Sequence, residues 1–553
     1  MSQRVISSAR APQPVPIPSR TSRFTGLQAG SGLRRRTYTA AALCFATMVA
    51  CTTPRLDVPR PLSEAWLRPE ATALGREFGK ELAGHPGQSG VFPLASGMDA
   101  FTIRASLAES AERTLDLQYY IVQQDTTTQL LLDRVLRAAQ RGVRVRLLID
   151  DLYALGRDFE LATFAAHPNI EVRVFNPFLR RGGWGLSQLL EFLGDSRRLN
   201  RRMHNKLWIA DNAAAVVGGR NLGDEYFDAH SEVTFTDLDI LAAGPVVRDI
   251  SRSFDEYWNS EWAVPVEAFV AAAPSAEQFA TFERALEARL ERFRDTDYAR
   301  ALRETRLGFR LRSGQLPLVP ANANALYDPP AKISGAATAT TPRQVFASRL
   351  RSIIDAAQQE VILISPYFIP SEEGVAVLSA LVRRGVRVRL NSLASTDYVP
   401  LAHAGYAHRR ARLLAAGIEL HEMRPELPDA TGSGRPGASS GAYLHTKAIV
   451  VDRQHMVIGS MNLDPRSRRD NTEIAVLLES APFGARLGAL FEEAVRPAHA
   501  FRVALAGTVE ETGIVWVTEE DGTAVRYDRE PLAGFWRRLL STLLGAFAPE
   551  DLL

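Results

Sequence analysis

Arg141-Gly142-Val143-Arg144-Val145-Arg146 recurs, letter for letter, as Arg384-Gly385-Val386-Arg387-Val388-Arg389, 243 positions later. In both places Val and Arg alternate after a Gly and run into apolar residues, Leu147-Leu148-Ile149 in the first copy and Leu390 in the second. That pattern reads as a strand entered from a turn. Working outward, residues 130–141 and 375–384 carry apolar side chains at helical spacing just before each copy. Ahead of those lie two further strand patterns, Thr114-Leu-Asp-Leu-Gln-Tyr-Tyr120 and Glu360-Val-Ile-Leu-Ile-Ser365. The order strand, helix, strand therefore occurs twice, which is the mark of a duplication. Strands alternating with helices imply an α/β fold with a largely parallel sheet covered by helices.

A second pair of landmarks keeps nearly the same offset. Met203-His204-Asn205-Lys206-Leu-Trp-Ile-Ala-Asp211 continues to Gly218-Gly219-Arg220-Asn221, and Leu444-His445-Thr446-Lys447-Ala-Ile-Val-Val-Asp452 continues to Gly459-Ser460-Met461-Asn462. The two histidines are 241 residues apart. On a strand, His and Lys at i and i+2 project from one face. The apolar residues after them bury the strand, and Asp211-Asn212 and Asp452-Arg453 start tight turns into a returning strand. One chance His-x-Lys-x4-Asp is expected at about 0.004 per chain of this composition, so two in register are not accidental.

These residue types suit phosphodiester chemistry. Negative charge gathers on the equatorial oxygens of phosphorus during displacement, and fixed ammonium and amide donors stabilise it without a metal. One neutral imidazole can attack phosphorus while a second protonates the leaving alcohol and deprotonates the incoming one. Each motif thus supplies half a site.

Composition narrows the rest. The chain has 553 residues, 46% hydrophobic and 23% charged, with a net charge of +2, which fits a globular protein of several domains and offers no global basic excess for nucleic acid. Only four of the 65 basic residues are lysines (Lys80, Lys206, Lys332 and Lys447), and two of the four stand in the motifs. Lys is a compact point charge and Arg a planar fork, so the choice points to a tight anion site. Both cysteines, Cys44 and Cys51, lie near the N-terminus, so the body offers no disulfide, Cys-ligated metal or thiol nucleophile.

Together the motifs, their spacing and the Gly-x-x-Asn follow-ons resemble the phospholipase D superfamily over about residues 85–505. Residues 115–121, 198–204, 217–227 and 459–467 are most similar to bacterial cardiolipin synthases, the C type in particular. The resemblance implies two duplicated phospholipase D-like domains, each a mixed β-sheet flanked by helices, packed about a pseudo-two-fold axis with the active site at their interface. It makes His204 the nucleophile and His445 the acid and base, with Lys206, Lys447, Asn221 and Asn462 on the phosphate. Asp239 and Glu473 take the position of the acids that orient the histidines. Asp211 and Asp452 complete the motifs, more as supports of the turn than as chemical participants. No cofactor or metal is implied. The substrates implied are phospholipids (phosphatidylglycerol, with phosphatidylethanolamine as a second candidate), and no accessory protein is named by the sequence. The expected activity is phosphatidyl transfer to a lipid hydroxyl, giving cardiolipin. The alternatives are hydrolysis to phosphatidic acid, a metal-independent nuclease, and a catalytically silent membrane scaffold.

The expected division is a disordered N-terminus with an export signal (1–51), a first domain (75–265), a helical connector and loop (266–340), a second domain (341–505) and a tail with an amphipathic helix (506–553). Arg34-Arg35-Arg36, an apolar run over 38–50 and Met48-Val49-Ala50-Cys51 resemble a bacterial lipoprotein signal, which makes Cys51 a lipidation site and places the protein on the periplasmic side of a membrane. Residues 184–193 and 535–547 are candidates for contact with lipid, and each can equally be a helix docked on the body. A Gly/Ser/Pro stretch over 429–441 reads as a mobile loop beside the second motif.

Overall fold

The structure, a computed structural model, describes residues 54–55, 57–181, 185–230, 233–335, 342–393, 400–425, 441–507 and 513–534. Cys51 and its signal, Trp184, nearly all of the 429–441 stretch and the 535–547 segment lie outside the described residues.

The first half contributes strands β1 (Ser89–Leu94), β2 (Thr114–Tyr119), β3 (Arg144–Asp150), β4 (Ile170–Phe175), β5 (Leu207–Ala210), β6 (Ala214–Gly218), β7 (Thr234–Thr236), β8 (Asp239–Ala243) and β9 (Ala263–Pro265). The second contributes β10 (Val319–Tyr327), β11 (Glu360–Ile364), β12 (Arg387–Leu393), β13 (Glu419–Met423), β14 (Ala442–Leu444), β15 (Ala448–Val451), β16 (His455–Gly459), β17 (Ile474–Glu479), β18 (Ala500–Leu505), β19 (Ile514–Glu520) and β20 (Thr523–Tyr527). Pairing gives the order β1-β8-β6-β5-β2-β3-β4-β9 in the first half. The second half repeats it as β10-β17-β16-β15-β11-β12-β13-β18, with β19 and β20 added at the edge. The two sheets join where β1 meets its counterpart β10 antiparallel, Gly90 opposite Pro320.

The sheets are mixed, and less parallel than the strand–helix alternation suggests. Within the two large sheets, parallel pairing is confined to β2-β3-β4 and to β11-β12-β13, the strands linked by helical crossovers. The motif hairpins and the edge strands are antiparallel. The helices also begin earlier than their apolar spacing suggests. Asp125 caps Thr126–Gln140 and Ser371 caps Glu372–Arg383, each side chain accepting an amide of the first turn. The segment read as a loop after the connector helices carries β10, whose Val-Pro-Ala-Asn-Ala-Asn-Ala-Leu-Tyr has little of the usual β-branched composition. Pairing with β1 and β17 on either side makes it a strand.

One buried cluster lies in each half, and a third, central one draws on both: Met203, Leu207, Ile209, Tyr257 and Trp258 from the first half with Ile362, Val450, Ile458, Val476 and Phe483 from the second. The repeated Arg-Gly-Val-Arg-Val-Arg helps build this centre. Arg146 bonds Asp116 and Asp255, each at 2.7 Å, and lies 4.8 Å over the ring of Phe254. Arg389 grips Glu492 through both Oε1 (2.6 Å) and Oε2 (3.0 Å) and lies 4.6 Å over Phe491. In both halves the arginine fastens its strand to a Phe-acid pair on the helix that follows, Pro245–Trp258 or Ala481–Ala494.

Candidate active site

Each motif is a hairpin with the same construction. Asp211 (φ 55) and Asn212 (φ 50), and likewise Asp452 (φ 51) and Arg453 (φ 51), sit in the left-handed region that a tight hairpin turn requires. The turns close through the amide of Ala213 on the carbonyl of Ala210 and that of Gln454 on Val451. The Asp211 carboxylate accepts the amides of Glu112 (2.9 Å), Arg113 (2.7 Å) and Thr114 (2.9 Å). Asp452 accepts those of Gln358 (2.9 Å), Gln359 (2.8 Å) and Glu360 (2.8 Å). Both aspartates therefore tie the hairpin to the chain entering β2 or β11. Their carboxylates face the backbone and not the histidines. The glycine after each returning strand serves close approach: a Cβ on Gly218 would stand 2.6 Å from the Cα of Asp239, and one on Gly459 2.1 Å from the carbonyl oxygen of Ile474.

The two halves complete each other at the histidines. The amide of His204 donates to the carbonyl of Thr472 (3.0 Å), and that of His445 to the carbonyl of Thr236 (2.8 Å). Beside those threonines stand the acids. His204 Nδ1 lies 2.9 Å from Glu473 Oε2, and His445 Nδ1 lies 2.6 Å from Asp237 Oδ2. Each ring is thus held by a carboxylate from the opposite half, which fixes Nδ1 as the protonated nitrogen and leaves Nε2 for chemistry. Short cross-half pairings set this register: β14 runs parallel to β7, and Met203 bridges Thr472.

Asp237 corrects the expectation placed on Asp239. The side chain of Asp239 meets Arg104 at 2.8 Å and Arg220 at 3.5 Å, a buried charge pair inside the first half. The distinguishing signal is the residue before the acid. Thr236-Asp237 and Thr472-Glu473 are the matching dipeptides, and the carbonyl of each threonine is the anchor for the other half's histidine.

Glu473 is the more elaborately held of the two acids. Ser460 donates to its Oε2 (2.5 Å), Ser467 donates to its Oε1 (2.7 Å), and its amide donates to Asp328 (3.1 Å). Asp328 in turn receives the buried ammonium of Lys332 at 2.7 Å, so a third of the chain's four lysines supports this network. The scarcity of lysine, which singles out Lys206 and Lys447 in the sequence, singles out Lys332 as well.

Lys206 and Lys447 are both buried, and each ammonium donates to the carbonyl of its motif histidine, Lys206 at 2.6 Å. Lys206 also lies 5.4 Å from the ring centre of Tyr120, which stands edge-on to His204 at 5.1 Å. Tyr226 and Phe235 flank His445 at 5.4 and 5.1 Å. Asn221 receives the amide of Ile121 on Oδ1 (3.2 Å) and donates Nδ2 to the Tyr226 hydroxyl (2.9 Å). The Oδ1 of Asn462 is buried and has no hydrogen-bond partner among the described residues.

Electrostatics follow from burial and mutual repulsion. Burial lowers the Lys206 pKa to about 7 and that of Lys447 to about 8, and at Lys206 the Lys447 ammonium adds to the effect. Burial, reinforced by Lys447, brings His445 down to about 3, and burial with Lys206 lowers His204 as well. Burial alone would raise Glu473 and Asp237, yet the histidine and lysine beside each hold both below the ordinary carboxylate value. At neutral pH the site therefore holds two neutral imidazoles, two carboxylates and two ammoniums close to their titration points.

A family model described as "Cardiolipin synthase, PLD-like domain" matches residues 105–258 and 350–495, the two halves of the duplication. The chain is 39% identical over 475 residues to cardiolipin synthase C of Escherichia coli (strain K12), covering 85% of this chain and 97% of that one. It is 31% identical over 494 residues to an uncharacterized protein of Helicobacter pylori (strain J99 / ATCC 700824), covering 85% and 91% respectively. The crystal structure of phosphatidylserine synthase from Haemophilus influenzae Rd KW20 superposes with a TM-score of 0.52 at 13% identity, over 86% of this chain and 99% of that one, which speaks for the fold. With both motifs intact on the duplicated sheet, a family model over both halves and a relative 39% identical over 85% of the chain, the chain belongs to the cardiolipin synthase family of the phospholipase D superfamily of phosphatidyltransferases.

Proposed function

We propose that this protein moves a phosphatidyl group from one phospholipid to the free hydroxyl of another, giving cardiolipin, through a phosphohistidine on His204. The observation that carries the reading is the crossed pair of carboxylates, Glu473 on His204 and Asp237 on His445. In the first step His204 Nε2 attacks phosphorus, the bond from phosphorus to the head-group oxygen breaks, and that oxygen takes a proton from His445. In the second, the acceptor hydroxyl gives its proton to His445 as its oxygen attacks phosphorus and His204 leaves. Lys206 and Lys447 hold the charge on the phosphoryl oxygens throughout, with Asn221 and Asn462 beside them. His445 must enter the first step protonated. The bound phosphodiester anion offsets the repulsion of the two ammoniums, and so raises the His445 pKa from about 3.

Association with a membrane belongs to the same proposal. Leu189, Leu190 and Leu193 expose half or more of their surfaces on the helix Leu186–Gly194, so this face is turned to solvent and is not docked on the body. Leu152, Tyr153 and Leu179 are exposed as well. Tyr153 stacks edge-on against Tyr120, which touches His204, so this apolar rim belongs to the same edge of the sheet as the site. Among the described residues no helix is long and apolar enough to cross a membrane. Lipidation of Cys51 would supply the anchor, and Cys51→Ser should then release the protein from the membrane fraction.

The decisive experiment incubates purified protein with phosphatidylglycerol, with and without phosphatidylethanolamine, and separates the lipids. Cardiolipin supports the proposal, whereas phosphatidic acid alone makes water the acceptor. Undiminished turnover by folded His204→Ala would remove His204 from the nucleophile's role.

A further inference from the structure

A duplicated fold allows one half to serve as the control for the other. In the first half the helix Gly97–Ser110 packs directly against Thr126–Gln140 and the sheet beneath. Four large or charged side chains fill the space there. Arg104 donates to the Tyr119 hydroxyl (3.0 Å) and pairs with Asp239, while Tyr119 stacks edge-on against Trp208. All four are buried to 1% exposure or less.

The equivalent positions in the second half are emptied. Trp208 and Ile449 each follow their motif histidine by four residues. Asp239 opposes Gly218 and Ala475 opposes Gly459, the corresponding glycine. Tyr119 follows the residue paired with Leu207, and Ser365 follows the residue paired with Ala448. Phe101-Thr-Ile-Arg104 matches Phe346-Ala-Ser-Arg349, but Arg349 is exposed to solvent. A Trp, a Tyr, an Asp and a buried Arg have become Ile, Ser, Ala and an arginine that points away. Ile449, in the place of Trp208, lines a cavity of about 520 Å³ between the helices Pro342–Asp355 and Glu372–Arg383, and Ala475, in the place of Asp239, lines a narrow cleft beside it.

Its walls are apolar: Phe346, Leu350, Val377, Leu378, Ile449 and Met461. Its inner end is polar, reaching Asn462, whose buried Oδ1 is unpartnered among the described residues, Ser467, which donates to Glu473, the Lys332–Asp328 pair and Asp464. A narrow cleft sharing the walls at Ile449, Met461 and Leu463 leads on to Lys447. At the surface Arg351 and Glu373 pair at 3.0 Å across the two helices. An apolar pocket of this size with polar groups at one end falls within the range of about 300–1,000 Å³ usual for small-molecule sites.

We propose that this cavity holds an acyl chain of the phospholipid whose phosphate lies between Lys206 and Lys447. The proposal rests on phospholipid being the substrate and adds a specificity element to it. The occupant must be apolar along its length and polar at the end nearest Asn462, which describes a fatty chain leading to its glycerol ester. The second half thus recognises the lipid tail, and the first half, packed solid at the same place, does not.

A phosphatidylglycerol carrying a diazirine midway along one acyl chain, in detergent micelles with the full-length protein, tests this directly. Irradiation should label peptides within 346–354 and 374–378. Val377→Trp and Leu350→Trp, both at half-buried positions, should each cut that labelling at least fivefold. The same variants should lower the ratio of kcat/KM for dioleoyl- over dihexanoyl-phosphatidylglycerol by about tenfold, because only the long chain reaches the filled space. Labelling confined to other regions, labelling indifferent to the tryptophans, or equal loss on both lipids would overturn the proposal. If wild-type protein labels at the cavity yet forms no cardiolipin, the cavity assignment stands and the proposed reaction fails. Should either variant not fold, the position of the wild-type label still decides.

Discussion

Replacing Asp211 by alanine removes the acceptor of three amides at once, and its consequence can be worked out from the geometry. The bonds from Glu112, Arg113 and Thr114 are 2.7–2.9 Å long and end on a carboxylate with no solvent exposure. A buried donor stripped of its partner costs about 1–3 kcal/mol. Water can reach the half-buried amides of Glu112 and Arg113, so those belong at the low end of that range, with Thr114 higher. Alanine at φ 55 adds about 1 kcal/mol of backbone strain. The expected loss is about 3–5 kcal/mol, a large part of the total of roughly 5–15 kcal/mol for a typical domain. Asp452 makes the same three bonds at 2.8–2.9 Å, but the amides of Gln358 and Gln359 are exposed, so Asp452→Ala should cost about 2 kcal/mol. Urea denaturation gives both numbers, and turnover divided by folded fraction separates structure from chemistry. Folded Asp211→Ala should retain most of its turnover. A variant as stable as the wild type, a larger loss at Asp452 than at Asp211, or turnover per folded molecule as low as that of His204→Ala would refute the reasoning.

Other expectations follow from the same site. Asp237→Asn should lower kcat by about 10²–10⁴ with the fold intact, because it frees the His445 tautomer, and Asp237→Glu should restore part of the activity. Asp239→Asn should instead destabilise by about 3–5 kcal/mol, since it strands the buried Arg104 guanidinium, and calorimetry with the same turnover assay tells the two apart. Lys206→Met should abolish turnover yet raise the Tm of the ligand-free protein. The folded-state pKa of Lys206 is about 7 against an ordinary 10.5, so the unfolded chain binds more protons across that window and stability is lost as pH falls from 10.5 towards 7. A methionine that lowered the Tm would contradict this. The decline of kcat/KM with pH should steepen as pH rises through about 7–8, where Lys206 and Lys447 lose the protons that attract the phosphodiester. A rate still climbing at pH 9 would mean that the ammoniums are charged by some other means.

Much of this was legible in one dimension because the duplication left two copies to compare. The repeated Arg-Gly-Val-Arg-Val-Arg fixed the strand–helix–strand order, and the offset of the motifs placed both hairpins, including their turns at Asp211-Asn212 and Asp452-Arg453. What escaped was set by partners distant in sequence. β10 is a strand because β1 and β17 pair with it, although its own residues hardly favour one. Asp237 was missed because two aspartates stand two apart, Asp237 and Asp239, and alternation along the chain cannot say which one faces the other half. The cross-half hydrogen bond from His445 to the carbonyl of Thr236 decides it. The extent of the parallel pairing was overread for a related reason: alternation of strands with helices marks the crossovers, while hairpins and edges are antiparallel whatever surrounds them.

The four lysines have a common logic in a chain that otherwise chooses arginine. An arginine cannot shed its proton inside a protein, so burying one favours a fixed counter-charge, as with Arg104 on Asp239 and Arg146 on Asp116 and Asp255. At the phosphate site the counter-charge is the substrate, which comes and goes. A residue that must tolerate burial both with and without its anion has to be able to give up its charge, and lysine with its pKa near 7 or 8 can do that. Lys332, by contrast, keeps a permanent partner in Asp328 and donates to the Ser467 carbonyl, and so is held as an arginine would be. The rarity of lysine thus marks the phosphate site, where a variable charge state is required, and three of its four occurrences converge on the two histidines.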